Sequence, residues 1–356
     1  MKKVFYAILS FVSILCFHPV FAGVLTVSNA AVSPGQYTNI AAAITAATNG
    51  DTILIAGTGI NYNSFTVSKR LVFIGPGHNP EDKQNTNGGM LDNILLTTGA
   101  SGSAFYGLNI SYIYTNAQNI DGIVVSNCMI RYRIEINYRF CDNWTVDGCI
   151  FTNVNECFTG NGQGYGTNNL RVRNCVFNGR FYDFPAAGGG YNYITNSVFL
   201  QNTGANTFEY INHFYVTNSI FYRAQPRFTG GWVNFNNCLS FATTGGNTTF
   251  AANSDGTART VWQGVDPQFE NFPEAGAHFS YTHDYRLKAT SPVKALGNDA
   301  TDLGVYGGTL FSNILLGYNQ NGIPINPYIK LFNITGNTSV NAGDNLQISV
   351  EAKVRN

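Results

Sequence analysis

A short pattern of apolar and polar positions returns about every 22 residues through the middle of the chain. It reads GIVVSNCMI at 122–130, NWTVDGCIF at 143–151, NLRVRNCVF at 169–177, YNYITNSVF at 191–199, HFYVTNSIF at 213–221 and WVNFNNCLS at 232–240. Each copy alternates apolar residues, then places Asn or a substitute, then Cys or Ser, then apolar residues again. The anchors Cys128, Cys149, Cys175, Ser197, Ser219 and Cys238 stand 21, 26, 22, 22 and 19 residues apart. Propeller blades and helical hairpins need about 33 residues or more, and the leucine-rich L-x-x-L-x-L run is absent. No repeat has apolar residues at i, i+3, i+4 and i+7. Short alternating runs of Val, Ile, Phe and Tyr, punctuated by Asn and Gly, predict strands and bends instead. About 22 residues suffice for three short strands and three bends. Coils stacked about 4.8 Å apart predict an all-β fold, a right-handed parallel β-helix solenoid with equivalent residues in columns.

The anchors are then expected to stack inside, the cysteines as small buried hydrophobes. Asn127, Asn174, Asn196, Asn218 and Asn237, with Gly148 in one copy, are expected to form a bend column, because Asn tolerates the left-handed conformation. Their amides are expected to bond from coil to coil. The stretch 38–56 (TNIAAAITAATNGDTILIA) holds the one good helix candidate, with Ile40, Ala43, Ile44 and Ala47 on one face. It is expected to cap the open first coil. The solenoid with its N-terminal cap is expected over 23–310. A linker and a two-strand tail, near 328–334 and 346–354, fill 311–356.

Residues 1–22 have the form of a signal peptide, with Lys2 and Lys3, the apolar run 4–17 and Val20-Phe21-Ala22 before the cut. The run is short for a span of about 20 residues. The expectation is therefore a secreted, periplasmic or cell-surface protein with no membrane span after cleavage. The remaining 18 basic and 20 acidic residues form no basic patch, which argues against nucleic acid. Six cysteines remain, of which only Cys141 and Cys157 fall outside the column and could pair. No Cys/His spacing suits zinc.

Two stretches carry a resemblance. Ile40, Ala43, Ala47, Gly50, Asp51, Thr52 and Ile53, followed by Ile74, Gly75 and Gly77, are similar to the entry segment of secreted parallel β-helix proteins of the pectate-lyase-like superfamily. The stretch 284–307, with Ser291-Pro292, Gly297, Asp302 and Gly304, resembles their closing coil. The tail resembles those on exported β-helix proteins of Bacteroidetes-like bacteria. The resemblance implies the fold, but no single activity, because that superfamily holds lyases, hydrolases, esterases and non-catalytic proteins. The Asp-Asp and Gly-His-Gly steps of polygalacturonase-like enzymes do not occur. Calcium-dependent lyases need clustered Asp, whereas Asp121, Asp142, Asp147 and Asp183 are scattered in register. No cofactor is expected, and nothing supports a calcium site.

Chemistry is expected where charges gather in a charge-poor region. In 131–137 (RYRIEIN), Tyr132, Ile134 and Ile136 are assigned inward and Arg131, Arg133, Glu135 and Asn137 outward. Glu135 and Glu156 both lie seven residues past their anchors, which makes them neighbours, with Arg180 and Asp183 on the same face. Glu135, Glu156 and Asp183 are the catalytic candidates, and Arg131, Arg133 and Arg180 the substrate-binding candidates. The same residues also suit a solvated ion-pair ladder. The function expected is binding or processing of a polysaccharide or cell-surface glycan by a monomer. As an enzyme it would be a polysaccharide lyase or glycoside hydrolase. The alternative is a non-catalytic cell-surface or adhesin-like scaffold.

Overall fold

The structure, a computed structural model, describes residues 22–31, 35–79, 90–160, 167–184, 190–200, 204–242, 248–273, 278–308, 318–320, 327–335 and 347–354. The expected signal segment up to residue 21 and parts of the C-terminal tail lie outside the described residues. The chain forms a parallel β-solenoid of about 8 turns. One ten-stranded parallel sheet runs from Val24–Val27 to Val233–Asn236 and makes the first face. A fourteen-stranded sheet wraps the other two sides. Its short strands just after the anchors, such as Val176–Phe177 and Val198–Phe199, make the second face. Those after the next bend, such as Glu156–Thr159, Arg180–Phe184 and Asn206–Ile211, make the third. Met129–Glu135 is long enough to cross both.

The anchor column is fully buried. Its residues do more than fill space. Asn127, Asn174, Asn196, Asn218 and Asn237 hold φ between 47° and 52°, and Gly148 holds 62°. That left-handed step takes the following amide out of the strand ladder, and a buried amide needs a partner. The anchor supplies it. The Cys149 N–H donates to Cys175 Sγ at 3.4 Å, Cys175 N–H to Ser197 Oγ at 3.3 Å and Ser197 N–H to Ser219 Oγ at 3.2 Å. Each anchor donates in turn to the carbonyl two residues back, at 3.1 Å for Cys175 to Arg173 and 2.8 Å for Ser219 to Thr217. Cys and Ser interchange because both can accept and donate at once. Two residues on, Phe151, Phe177, Phe199 and Phe221 stack at centroid separations of 4.8, 5.0 and 4.6 Å. The large Trp144 is buried with its indole N–H on Ile120 O at 2.8 Å.

The helix is shorter than the stretch that suggested it. It spans Ile40–Ala46, with Asn39 Oδ1 accepting from Ala42 N at 2.8 Å. Lys69 Nζ donates to the Ile44, Thr45 and Ala47 carbonyls at 2.7–2.9 Å and so closes its C-terminal end. Ile40, Ala43, Ile44 and Ala47 are buried in the solenoid core, as a cap requires.

The expected coil-to-coil Asn amide ladder is not formed. Asn127 bonds Ser126 Oγ at 3.3 Å, while the side chains of Asn174, Asn196, Asn218 and Asn237 turn outward and grip the C-terminal segment. Asn174 Nδ2 donates to Val305 O at 2.9 Å and Gly307 O at 2.8 Å, and Asn237 Nδ2 to Leu296 O at 3.0 Å. Asn218 exchanges two bonds with Asn298, at 2.8 and 3.0 Å. The stretch 284–307 is therefore not a closing coil. Strands Phe269–Asn271 and Asp284–Leu287 pair antiparallel, and the segment lies outside the second face. Its Phe269, Tyr285, Leu287, Val293, Leu303 and Val305 bury the outward Ile150, Val176, Val198, Ile220 and Leu239. Those outward residues are apolar, and a sheet face of that kind must be covered. The layer reaches back to the early coils through Tyr281, whose hydroxyl donates to His78 O at 2.9 Å and meets His78 Nδ1 at 2.7 Å. The tail is an antiparallel pair, Pro327–Thr335 with Gln347–Val354. Cys141 and Cys157 are both buried free thiols, so that pair forms no disulfide. No helix among the described residues is long and apolar enough to cross a membrane.

Candidate functional site

The strands of the third face carry the charged candidates. Glu135 binds Arg133 at 2.6 Å, Arg133 binds Glu156 at 2.7 Å, Glu156 lies 3.7 Å from Arg180, and Arg180 binds Glu209 at 2.7 Å. This is one chain of charges over four coils. Tyrosine rings border it. The Arg133 guanidinium lies 4.8 Å from the Tyr132 ring centre and 5.7 Å from that of Tyr112. Arg180 lies 4.9 Å from Tyr182, and Tyr182 meets Tyr210 edge-on at 5.8 Å. Burial first, then the hydrogen bond to Glu135, raises the Tyr112 pKa and keeps its phenol protonated.

Two of the expected orientations are corrected. Tyr132 points out, 45% exposed, because Met129–Glu135 bulges where it turns from the second face to the third. An extra residue in one strand flips the side-chain alternation. Glu135 and Glu156 are not paired directly, because Glu135 lies opposite Thr159. Arg133 joins them. The equal count of seven fails because the second bend varies in length. Glu135, Thr159, Tyr182, Glu209 and Thr229 share one row, yet they lie 7, 10, 7, 12 and 10 residues past their anchors. Glu209 escapes a count from the anchors for that reason. Only its alternation with Phe208 and Tyr210 hints at the outward face.

Arg131 leaves the chain of charges. Its Nη2 donates to Leu91 O at 2.9 Å, and burial lowers its pKa against the pull of Asp92. Asp183 is on the face but outside the ion pairs. Among the described residues it has no ion-pair partner. Burial, then the charge of Glu156, raises its pKa. Its backbone φ is 57° and its carbonyl packs on Gly160, where an added Cβ would lie 2.2 Å from that oxygen. One coil on, Tyr210 has φ 53° and is 50% exposed. Left-handed backbone costs a non-glycine residue about 1–2 kcal/mol. Tyr210 keeps it with half its ring in water.

Around the ion-pair chain the carboxylates Glu135, Glu156, Asp183 and Glu209 outnumber the cations Arg133 and Arg180. A fixed carboxylate can accept bonds from hydroxyls, and a tyrosine presents an apolar ring with a polar tip. Among the described residues no three His, Cys, Asp or Glu side chains converge as metal ligands. No protein-family model matches the chain, and no curated protein sequence matches it.

Proposed function

We propose that this is an exported β-helix protein of the pectate-lyase-like kind that binds a polysaccharide across the third face. The observation that carries this reading is the continuous ion-pair chain of Glu135, Arg133, Glu156, Arg180 and Glu209, bordered by Tyr112, Tyr132, Tyr182 and Tyr210. A sugar ring has apolar faces and a rim of hydroxyls. Tyrosine rings suit the faces, and carboxylates suit the rim. The ion pairs hold the carboxylates in place before the ligand arrives, which lowers the entropy lost on binding. Because the Arg133 and Arg180 forks are already occupied by carboxylates, a neutral glycan fits this stretch better than a polyuronate.

A second reading rests on Asp183. Its raised pKa suits a general acid, and glycoside hydrolysis pairs such an acid with a second carboxyl group, for which Glu156 is the neighbour. In that reading Asp183 protonates the leaving oxygen.

A glycan array of neutral and acidic polysaccharides, read for binding, for new reducing ends and for unsaturated uronates, separates the readings. Binding without new ends is expected. Tyr182→Ala, or Arg133→Ala with Glu135→Ala, should weaken that binding about tenfold or more. New ends that disappear with Asp183→Asn would establish processing. Binding to no glycan would leave the scaffold reading in place.

A further inference from the structure

The outer side of the first face carries a different group of residues. The register sets Tyr193 opposite Tyr215 on one neighbouring coil and Arg171 on the other. Tyr191, His213 and Trp232 lead into the same run of strands and stay in step, with Asn192 N–H on His213 O at 2.8 Å and Phe214 N–H on Trp232 O at 3.2 Å. The rings form one cluster. Tyr215 lies 5.3 Å from Tyr191 and 5.2 Å from Trp232, His213 lies 5.4 Å from Trp232, and Tyr193 is nearly parallel to Tyr215 at 6.0 Å. Tyr191 and Tyr193 remain 42% and 39% exposed. His213 holds φ 58°, and among the described residues its Nδ1 is buried without a partner.

Packing between strands accounts for the rings, but not for Arg171. That residue is exposed, and its Nε donates to Asn169 Oδ1 at 2.9 Å, while the Asn169 amide donates to Asn143 at 2.6 Å. Arg171 meets no carboxylate among the described residues, as is true also of Arg131, Arg227 and Arg259, but it alone of these stands in register with the ring cluster. With Nε engaged, the two terminal nitrogens remain. They form a coplanar pair of donors that takes a carboxylate through two parallel bonds. At the other end of the row Asn234 bonds Asp255, which is held by Thr257. The row thus runs from a cation without an ionic partner, over three coils of rings, to an engaged carboxylate.

We propose that Arg171 with Tyr191, Tyr193, His213, Tyr215 and Trp232 forms a second saccharide site, specific for a uronate. The rings take the apolar face of the sugar, and Arg171 takes its carboxylate. This site is on a different face from the polysaccharide row and opposite in charge preference, so the two stand or fall separately.

The test is calorimetric titration of the full chain with a hexamer of 1,4-linked galacturonate, its methyl ester and a sulfated neutral hexasaccharide. The acid hexamer should bind more tightly than the other two. Arg171→Gln should weaken the acid hexamer about tenfold or more, the loss of one charged bidentate contact, and leave the ester unchanged. Tyr193→Ala should weaken both. Arg133→Ala with Glu135→Ala should alter neither, although it weakens neutral glycans on the third face. The proposal is overturned if the acid hexamer does not bind, if Arg171→Gln leaves its affinity intact, if the sulfated sugar binds equally well, or if only the third-face substitutions abolish uronate binding.

Discussion

Replacing Cys175 by arginine is expected to leave no folded protein. Cys175 is fully buried in the middle of the anchor column. Its sulfur accepts from Cys149 N and donates to Arg173 O, and its own N–H is taken by Ser197. No carboxylate belongs to the column, and the buried Asp147 of the preceding coil is engaged with Arg173 at 2.8 Å. An unpaired buried charge costs several kcal/mol even after relaxation, against a total stability of about 5–15 kcal/mol. Two milder substitutions make the argument specific. Cys175→Ser should cost within about 1 kcal/mol, because Ser197 and Ser219 already perform the same exchange. Cys175→Ala keeps the site small and apolar but leaves the Cys149 amide unpaired, at a cost of about 1–3 kcal/mol. Urea unfolding followed by circular dichroism measures all three. If Ala proved as stable as Ser, the column would be a matter of size alone and the hydrogen-bonding account would fail.

Acid should loosen the C-terminal layer through His78. This side chain is almost fully buried under Tyr281, and burial lowers its pKa to about 3. The unfolded chain binds the same proton with a pKa of about 6.5. Below that pH the unfolded state gains the proton and the folded state does not. The contribution of His78 is therefore intact above about pH 6.5 and declines as the pH falls toward about 3. The slope approaches about 1.4 kcal/mol per pH unit below about pH 6, and the change between pH 6.5 and 4.5 is about 2 kcal/mol. His283 is also buried and shifts in the same direction, so the comparison must isolate one histidine. His78→Gln should flatten the stability profile over that range relative to the parent, with Tyr281→Phe as a control that keeps the histidine. Parallel profiles for His78→Gln and the parent would show that His78 does not carry the acid response.

The solenoid was legible because its period is written in local chemistry. Asn before Cys or Ser at the bend gives the left-handed step and its hydrogen-bonding partner in adjacent letters. The helical cap was legible for a similar reason, in the spacing of Ile40, Ala43, Ile44 and Ala47. The partner of the Asn column was not, because Leu296, Asn298, Val305 and Gly307 lie about 60 to 130 residues further on. A local pattern cannot specify such a contact. The apolar letters after each anchor, Ile150, Val176, Val198, Ile220 and Leu239, were a usable clue, since an uncovered face would not be apolar throughout. The charged row was half legible. Arg133, Glu135, Glu156 and Arg180 were brought together, but Arg131 turned to Leu91, Tyr132 turned out at a bulge, and Glu209 joined because the second bend changes length from coil to coil. The cluster around Tyr193 and Arg171 sits inside the repeat itself, where outward aromatic letters look like ordinary strand residues.

The central claim is that a glycan lies on the third face, and carboxylate footprinting tests it most directly. The protein is labelled with a carbodiimide and glycine amide, with and without a saturating neutral polysaccharide that it binds, and the modified residues are read by mass spectrometry. The account predicts that labelling of Asp183, Glu156 and Glu209 falls on binding, while Glu270, exposed on the C-terminal layer, is labelled equally in both samples. Unchanged labelling of Asp183, Glu156 and Glu209 with the glycan bound would contradict it.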